Sequence, residues 1–174
     1  MKPRAGRVIL VIGGASSGKS EHALGLADAV PMIFVATGQG LDEEMAERIR
    51  RHRSARGPQW ETAEVPVDLV AWFESNQARE GSVVVDCVTL WLSNLLSAGL
   101  SEPGAIEQAH ALSKVMRSAQ ARIILVTNEL GMGVVPFEAG GRAFRTLAGQ
   151  VNQIIAREAD EVHFVVSGLA VRLK

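Results

Sequence analysis

The chain has 174 residues, which fits one domain with a substantial core and leaves little room for a second domain of similar size. Its 18 Lys and Arg residues are balanced by 19 Asp and Glu residues, so a formal net charge of −1 gives no basic field for nucleic acid or an anionic membrane. The single cysteine, Cys87, excludes a disulfide framework, and no apolar run reaches the roughly 20 residues that span a bilayer. We therefore predict one cytoplasmic domain over residues 1–174, with no nucleic-acid partner and no membrane insertion.

The first predicted strand, residues 8–12, leads through a glycine-rich motif into a helix predicted at 21–29. The motif matches G-x-x-x-x-G-K-[ST] and has the strand-to-helix context that this pattern requires. Such glycines allow a tight turn whose amides converge on phosphates, and the lysine reaches the β- and γ-phosphate oxygens. The predicted nucleotide-binding residues of this P-loop are Gly13, Gly14, Ala15, Ser16, Ser17, Gly18, Lys19 and Ser20. The alternative, a glycine-rich turn that binds nothing, is disfavoured by the flanking strand and helix.

Short apolar strands alternate with helices along the rest of the chain. Further strands are predicted at 32–36, 82–85 and 122–127, and helices at 42–56, 67–78, 88–96, 101–119 and 142–158, with an irregular segment at 60–66 and a glycine-rich one at 131–141. Two closing strands, 162–166 and 170–173, predict a hairpin. The pattern indicates an α/β fold that is P-loop NTPase-like (RecA-like): a mainly parallel sheet with helices on both faces and a short C-terminal antiparallel hairpin.

Polar residues follow the predicted strands at the end where parallel sheets bind their ligands. Thr37 follows the second strand, Asp86 the third, and Asn128 and Glu129 the fourth. Because the carboxyl ends of parallel strands meet at one edge, we expect these residues to face a single crevice beside the P-loop. Thr37 is accordingly predicted to contact the nucleotide.

Two residues are candidates to bind Mg²⁺ on the nucleotide. The Ser20 hydroxyl is a hard oxygen ligand, and Asp86 ends an apolar strand where an acid would hold the metal directly or through water. An alternative for Asp86 is that it caps the helix beginning near Val88. Glu129 is a candidate base or second metal-side carboxylate, and equally a turn residue that opens a glycine-rich loop.

His52 lies in a helix rich in arginine, and its role depends on that setting. On spacing alone it shares a face with Met45 and Ile49, which is typical of a half-buried structural histidine. The nearby arginines, which include Arg53 and Arg56, disfavour the imidazolium form, keep a ring nitrogen free to act as a nucleophile, and could bind phosphates. A cationic helix end also suits the helix dipole, so the spacing leaves both interpretations open.

Together these motifs resemble the bifunctional adenosylcobinamide kinase / adenosylcobinamide-phosphate guanylyltransferase family of cobalamin biosynthesis, nearly end to end. The matching residues are the P-loop, Ala36-Thr37, Asp42 to Met45 with Arg48, Ile49 and His52, then Arg56, Trp60, Asp86 to Leu92, Asn94 to Leu96, Thr127 to Gly131, Val135-Pro136, Arg142, Phe144-Arg145, Gly149, Asn152-Gln153 and Gly168-Leu169. The chain departs from the family's common pattern at Ser16, usually Arg, and at Thr146, usually an acid.

The resemblance implies two reactions that share one nucleotide site with Mg²⁺. In the first, ATP or GTP phosphorylates adenosylcobinamide; in the second, GTP is attacked by His52, and the GMP passes to adenosylcobinamide phosphate to give adenosylcobinamide-GDP and pyrophosphate. It implies catalytic roles for His52, Lys19, Asp86 and Glu129, and nucleotide contacts from Arg53 and Arg56. It also implies a homotrimer.

Two other functions remain open on the residues alone. One is a P-loop small-molecule kinase without nucleotidyl transfer, in which His52 is structural. The other is a nucleotide-regulated switch, although the chain lacks the guanine-specifying Asn-Lys-x-Asp motif of small GTPases.

Overall fold

The computed structural model describes residues 6–40 and 43–174; within the second helix it does not describe the side chains of Glu44, Met45, Arg48, His52 and Ala55. The strands are β1 (Val8–Gly13), β2 (Met32–Ala36), β3 (Trp60–Glu64), β4 (Ser82–Asp86), β5 (Arg122–Asn128), β6 (Glu161–Val166) and β7 (Leu169–Arg172). The helices are α1 (Lys19–Gly25), α2 (Glu43–Ala55), α3 (Leu69–Ser75), α4 (Val88–Ser97), α5 (Glu102–Ser118) and α6 (Ala139–Glu158). Each helix in these ranges is too short or too polar to cross a bilayer.

The described strands form one sheet in the order β3-β2-β4-β5-β1-β6-β7. Every neighbouring pair is parallel except β6 and β7, which are antiparallel. This arrangement confirms the predicted mainly parallel sheet with a C-terminal hairpin. The P-loop strand β1 lies between β5 and β6, and β5 separates it from β4, the strand that ends in Asp86.

Alternation of side chains along the strands divides the core into two layers. Leu10, Val85 and Leu125 belong to the larger layer, which α3, α4, α5 and α6 cover. Val84 and Val126 belong to the smaller layer on the opposite face, together with Ala23 of α1. Helices therefore cover both faces, as the near-continuous apolar strands predicted.

The prediction of an irregular segment at 60–66 was wrong, because residues Trp60–Glu64 form β3. Among the described strands it lies at the edge of the sheet and pairs only with β2, and three of its five residues are half-buried while two are exposed. An edge strand with one covered face needs no continuous apolar run. The sequence of β3, Trp-Glu-Thr-Ala-Glu, is therefore too polar to be predicted as a strand from hydrophobic pattern.

The other differences lie at the ends of elements, where five strands are shifted or extended by one residue and several helices differ by more. α1 begins at Lys19, two residues before the predicted start, and ends at Gly25. α3 is shorter than predicted, and α6 starts at Ala139, so it includes Gly140 and Gly141, which the sequence predicted to be part of a loop. The predicted start of α2 at Asp42 falls outside the described residues.

Candidate active site

The P-loop has the backbone geometry that its glycines predict. Gly18 lies at φ +89° and Ser16 at φ +55°, both in the left-handed region that glycine tolerates best. At Gly13 the constraint is space, since a methyl group there would lie 2.4 Å from the Val165 carbonyl oxygen and 2.6 Å from the Ser17 hydroxyl. The loop can therefore form only with glycine at this strand end.

Lys19 is the first residue of α1 and is almost fully buried, with its ammonium donating a hydrogen bond to the Gly14 carbonyl at 2.9 Å. This bond folds the side chain back over the loop, where a cation can reach the phosphates of a bound nucleotide. The buried Ser17 hydroxyl has no hydrogen-bond partner among the described residues. A polar atom left unpaired in a phosphate-binding loop is explained by a ligand that completes its bonding.

Neighbouring elements support the loop from both sides. The Gly168 amide, in the tight turn of the β6–β7 hairpin, donates to the Ser17 carbonyl at 2.9 Å. The Glu129 amide, just beyond β5, donates to the Gly13 carbonyl at 3.0 Å. Both loop carbonyls are thereby satisfied by protein, which leaves the loop amides to face the ligand side.

A pocket of about 530 Å³ opens at the carboxyl edge of the sheet beside the P-loop. It is lined by Lys19, Ser20, Phe34, Ala36, Gly38, Gln39, Gly40, Ala46, Ile49, Arg50, Arg53, Arg56, Thr62, Glu64, Pro66, Asp86, Cys87, Leu90 and Asn128. A crevice thus lies at the predicted edge, with Asp86 and Asn128 of the predicted residues in its wall, and it joins the P-loop, four strand ends and one side of α2. Its volume suits a small-molecule ligand such as a nucleotide.

Asp86 and Ser20 both line this pocket, as predicted for a pair that binds magnesium. The Asp86 carboxylate is half-buried, and none of the hydrogen bonds or ion pairs among the described residues uses it. The alternative role as a helix cap is not seen, because the N-cap of α4 is Cys87 and no side chain caps it. Hard oxygens of a hydroxyl and a free carboxylate fit Mg²⁺, which typically takes one or two protein ligands and completes its shell with phosphate and water.

Thr37 is occupied within the protein. It is fully buried, and its hydroxyl donates to the Cys87 carbonyl at 2.8 Å and accepts from the Cys87 amide at 2.7 Å. The Thr37 carbonyl accepts a further hydrogen bond from the Asn94 side chain. These bonds tie the end of β2 to the start of α4, so the predicted contact with a nucleotide would require the hydroxyl to leave Cys87.

Glu129 and Glu64 both lie near the carboxyl edge of the sheet, but only Glu64 lines the pocket. The sequence indicated Glu129 as the candidate. Glu129 is not among the described residues that line the pocket; its carboxylate accepts a hydrogen bond from the Gly131 amide at 2.6 Å, as a turn residue does. Glu64, which ends β3, does line the pocket and lies beside Ala36 in register, as Asp86 does on the other side. Glu64 was not predicted as a site residue because residues 60–66 were predicted to be irregular. Its position at the end of a strand would have identified it, since ligands bind at the carboxyl ends of parallel strands.

The arginines after the P-loop face the same pocket. Arg53 and Arg56 both line it, and the Arg56 guanidinium stacks on the Phe34 ring at 3.6 Å from the ring centre. Burial lowers the pKa of Arg56, while Asp86 acts in the opposite direction. An arginine pKa has so wide a margin above neutrality that the group stays charged. The pocket therefore places positive charge opposite the P-loop.

Cys87 also lines the pocket, but its thiol has a raised pKa and low reactivity. Burial first, and the Asp86 carboxylate second, raise the pKa of the Cys87 thiol to about 11. A thiol with that pKa is protonated near neutral pH and is a poor nucleophile. Cys87 is therefore poorly suited to act as a nucleophile at this site.

A second titratable cluster lies where α1 meets β6. His22 Nε2 and His163 Nδ1 are 2.9 Å apart, and His163 Nε2 is 3.1 Å from Glu161 Oε2. If His163 donates to the carboxylate, its Nδ1 must accept from His22. Burial, and then His163, lower the pKa of His22. The pair joins the P-loop helix to the sheet.

A parallel sheet with a P-loop at its carboxyl edge, a lysine over the loop and an acid two strands away define a P-loop nucleotide-binding protein of the phosphoryl-transfer class. By sequence, residues 9–173 match the family described as cobinamide kinase / cobinamide phosphate guanyltransferase, and the chain belongs to this family. The fold is also found in the P4 protein from bacteriophage phi6 in complex with ADP, with a TM-score of 0.51 and 14% identity over 94% of this chain and 52% of that one. The chain thus spans about half of that protein's length, and the likeness concerns the fold alone.

Relatives with known names agree with the family. The chain is 42% identical to the bifunctional adenosylcobalamin biosynthesis protein CobU of Salmonella typhimurium and 41% identical to CobU of Escherichia coli, in both cases over 96% of this chain and 99% of the relative. It is 40% identical to CobP of Pseudomonas aeruginosa over 95% of this chain and 96% of the relative. The predicted activity, a bifunctional kinase and guanylyltransferase of cobalamin biosynthesis, is confirmed at the level of the family.

Proposed function

We propose that this chain carries out both reactions of its family in the pocket beside the P-loop, with a histidine that carries GMP between them. In the kinase reaction a nucleoside triphosphate gives its γ-phosphate to adenosylcobinamide. In the transferase reaction GTP gives GMP, first to His52 and then to adenosylcobinamide phosphate. The observation that carries this proposal is that the same pocket is lined by the P-loop residues Lys19 and Ser20 and by one side of α2.

The P-loop end of the pocket supplies the binding of phosphates. Lys19 would neutralise charge on the β- and γ-phosphates, and the loop amides would hold the same oxygens. Mg²⁺, held by Ser20 and Asp86, would neutralise further negative charge on the triphosphate. Two observations support this placement: no hydrogen bond or ion pair among the described residues uses the Asp86 carboxylate, and the Ser17 hydroxyl has no hydrogen-bond partner among them.

The α2 end of the pocket supplies the nucleophile. Ile49 and Arg56 both line the pocket, and His52 lies three residues after the one and four before the other. Positions with this spacing share one side of a helix, which supports a role for His52 at this pocket. In the sequence His52 directly precedes Arg53 and comes four residues before Arg56, and their positive charge would favour the neutral imidazole that nucleophilic attack needs.

Labelled GTP tests the proposal directly. Incubation with α-labelled GTP should leave acid-labile, alkali-stable label on the protein, and His52→Ala should lose this label while retaining cobinamide kinase activity. Lys19→Ala should lose both half-reactions, because it weakens binding of the triphosphate itself. Unlabelled but active protein would refute the histidine intermediate, and equal loss of kinase activity in the His52 variant would refute the division of roles.

We also propose that the chain works as a cytoplasmic homotrimer, as the resemblance implies. Large apolar side chains are exposed in the loop between β5 and α6 and on β7: Met132, Val134, Val135, Phe137, Leu169 and Val171. Such exposure is unusual for a monomer and supports an assembly that covers it. Light scattering on the purified protein should give three times the chain mass, and a monomeric mass would refute this proposal.

A further inference from the structure

A buried polar network connects the end of β5 to two helices on one side of the sheet. The Thr127 hydroxyl donates to the side-chain oxygen of Asn152 on α6 at 2.8 Å and lies 3.2 Å from the Thr89 hydroxyl on α4. All three residues are less than a tenth exposed. Buried polar groups are retained at a cost in desolvation unless their bonds are satisfied, and here each hydroxyl and amide finds a partner.

The network holds the main chain of one residue, Asn128, from both directions. The Asn128 amide donates to the Thr89 hydroxyl at 2.9 Å, and the Asn128 carbonyl accepts from the Asn152 side-chain nitrogen at 3.1 Å. The last residue of β5 is therefore fixed where strands usually fray into loops. None of the hydrogen bonds found among the described residues uses the side-chain amide of Asn128 itself.

Asn128 occupies the position between the P-loop and the magnesium-side acid. It is the register partner of Gly13 on β1, and its strand separates β1 from β4, where Asp86 pairs with Val126. Since side chains alternate along strands, Asn128 lies on the same face as Val126, the α1 face, as Asp86 does. Its side chain lines the nucleotide pocket with Lys19 and Asp86.

We propose that the Asn128 side-chain amide donates a hydrogen bond to the γ-phosphoryl group during the kinase reaction, and that Thr89 and Asn152 are positioning residues that hold it there. In this reaction the bond between the γ-phosphorus and the β–γ bridging oxygen breaks. A bond from the cobinamide hydroxyl oxygen to the γ-phosphorus forms, the hydroxyl proton leaves to solvent, and the nucleoside diphosphate departs. The inference rests on the kinase half of the proposed function and not on His52.

An amide suits this position because it donates without adding charge. Negative charge spreads over the three equatorial oxygens of the transferred group, and a fixed donor aimed at one of them stabilises the transition state. The donor must not move as the reaction proceeds, since preorganisation is what distinguishes it from water. The buried network meets this requirement by fixing the backbone on both sides of the amide group.

The first test replaces the donor. Asn128→Ala should lower kcat of cobinamide phosphorylation by on the order of 10²-fold, the loss typical of removing one preorganised donor. It should also weaken binding of a non-hydrolysable GTP analogue and leave GDP affinity unchanged, because only the former has a γ-phosphate. Gln150→Ala, on the exposed side of α6, is the matched control. An unchanged kcat in Asn128→Ala overturns the inference, whereas α-label on His52 tests the transferase proposal separately.

The second test asks whether the network acts through Asn128. Thr89→Val removes the hydroxyl at nearly constant volume and should lower the kinase kcat about tenfold with little change in KM, while Thr89→Ser should restore it. In the Asn128→Ala background, Thr89→Val should have no further effect on kcat, since the group that it positions is gone. Additive losses in the double variant would show a general structural defect and overturn the positioning role.

Discussion

Thr37 offers a decisive test, because the sequence predicts a nucleotide contact and the structure shows a buried link. Thr37→Val keeps the shape of the side chain but removes the hydroxyl that bonds both the amide and the carbonyl of Cys87. The Cys87 carbonyl would keep its second hydrogen bond, from the Trp91 amide, so only the Cys87 amide would be left unsatisfied. One buried backbone group without a partner costs about 1–3 kcal/mol. In a chain of this size 1 kcal/mol shifts Tm by about 2–4 °C, which predicts a fall of at least about 2 °C.

The assay is thermal unfolding without nucleotide, followed by GTP titration well below Tm. Thr37→Val should melt early and still bind GTP within a few-fold of wild type, and Thr37→Ser, which keeps the hydroxyl, should resemble wild type in both measurements. A variant that melts normally but binds GTP at least tenfold more weakly would refute the structural role. The hydroxyl would then act on the nucleotide, as the sequence predicted.

Three further predictions concern the loop, the turn acid and the histidine pair. Gly13→Ala should abolish nucleotide binding and lower Tm, because its methyl group would overlap the Val165 carbonyl and the Ser17 hydroxyl. Gly14→Ala, which has open space around it, should leave Tm unchanged. Equal Tm values for the two variants would contradict the steric argument. Glu129→Gln keeps the oxygen that accepts from Gly131, so the kinase kcat should stay within about threefold of wild type, and a fall of 10²-fold or more would identify a catalytic base. The pKa of His22 is lowered in the folded protein, so the unfolded chain binds a proton at higher pH and stability should fall as pH drops below about 6.5. Between about pH 7 and 5.5 the Tm of His22→Gln should fall less than the Tm of the wild type. An equal fall in Tm would refute the contribution of His22 to the pH dependence.

Local patterns predicted the centre of this molecule well. The P-loop needs glycines at fixed places for steric reasons, and β1, β4 and β5 are buried on both faces, so each gives an unbroken apolar run. Asp86 could be found because it ends such a run. These features depend on residues close together in the chain, which is why the sequence alone reveals them.

The rest depends on contacts between distant residues. β3 has one strand neighbour and a partly exposed face, so its composition resembles a loop, and Glu64 was missed with it. The Thr37 hydroxyl bonds to Cys87, which is 50 residues away in the sequence. The polar network around Asn128 joins residues from α4, β5 and α6. No spacing rule reports such partners, because the hydrogen bonds exist only after the sheet and helices have assembled.

The position of β1 in the sheet bears on how the protein folds as it is synthesised. Val8 pairs with Ile123 on one side, and Ile9 pairs with Glu161 on the other. β1 therefore has no strand neighbour until residue 123 has been synthesised and lacks its second neighbour until residue 161, and pairings between such distant segments form slowly. The hydrogen bond from the Gly168 amide to the Ser17 carbonyl in the P-loop can form only after that, when residue 168 has been synthesised. An apolar strand without partners is prone to aggregate, so the nascent chain is most exposed to aggregation before the β6–β7 hairpin docks and completes the contacts of the P-loop.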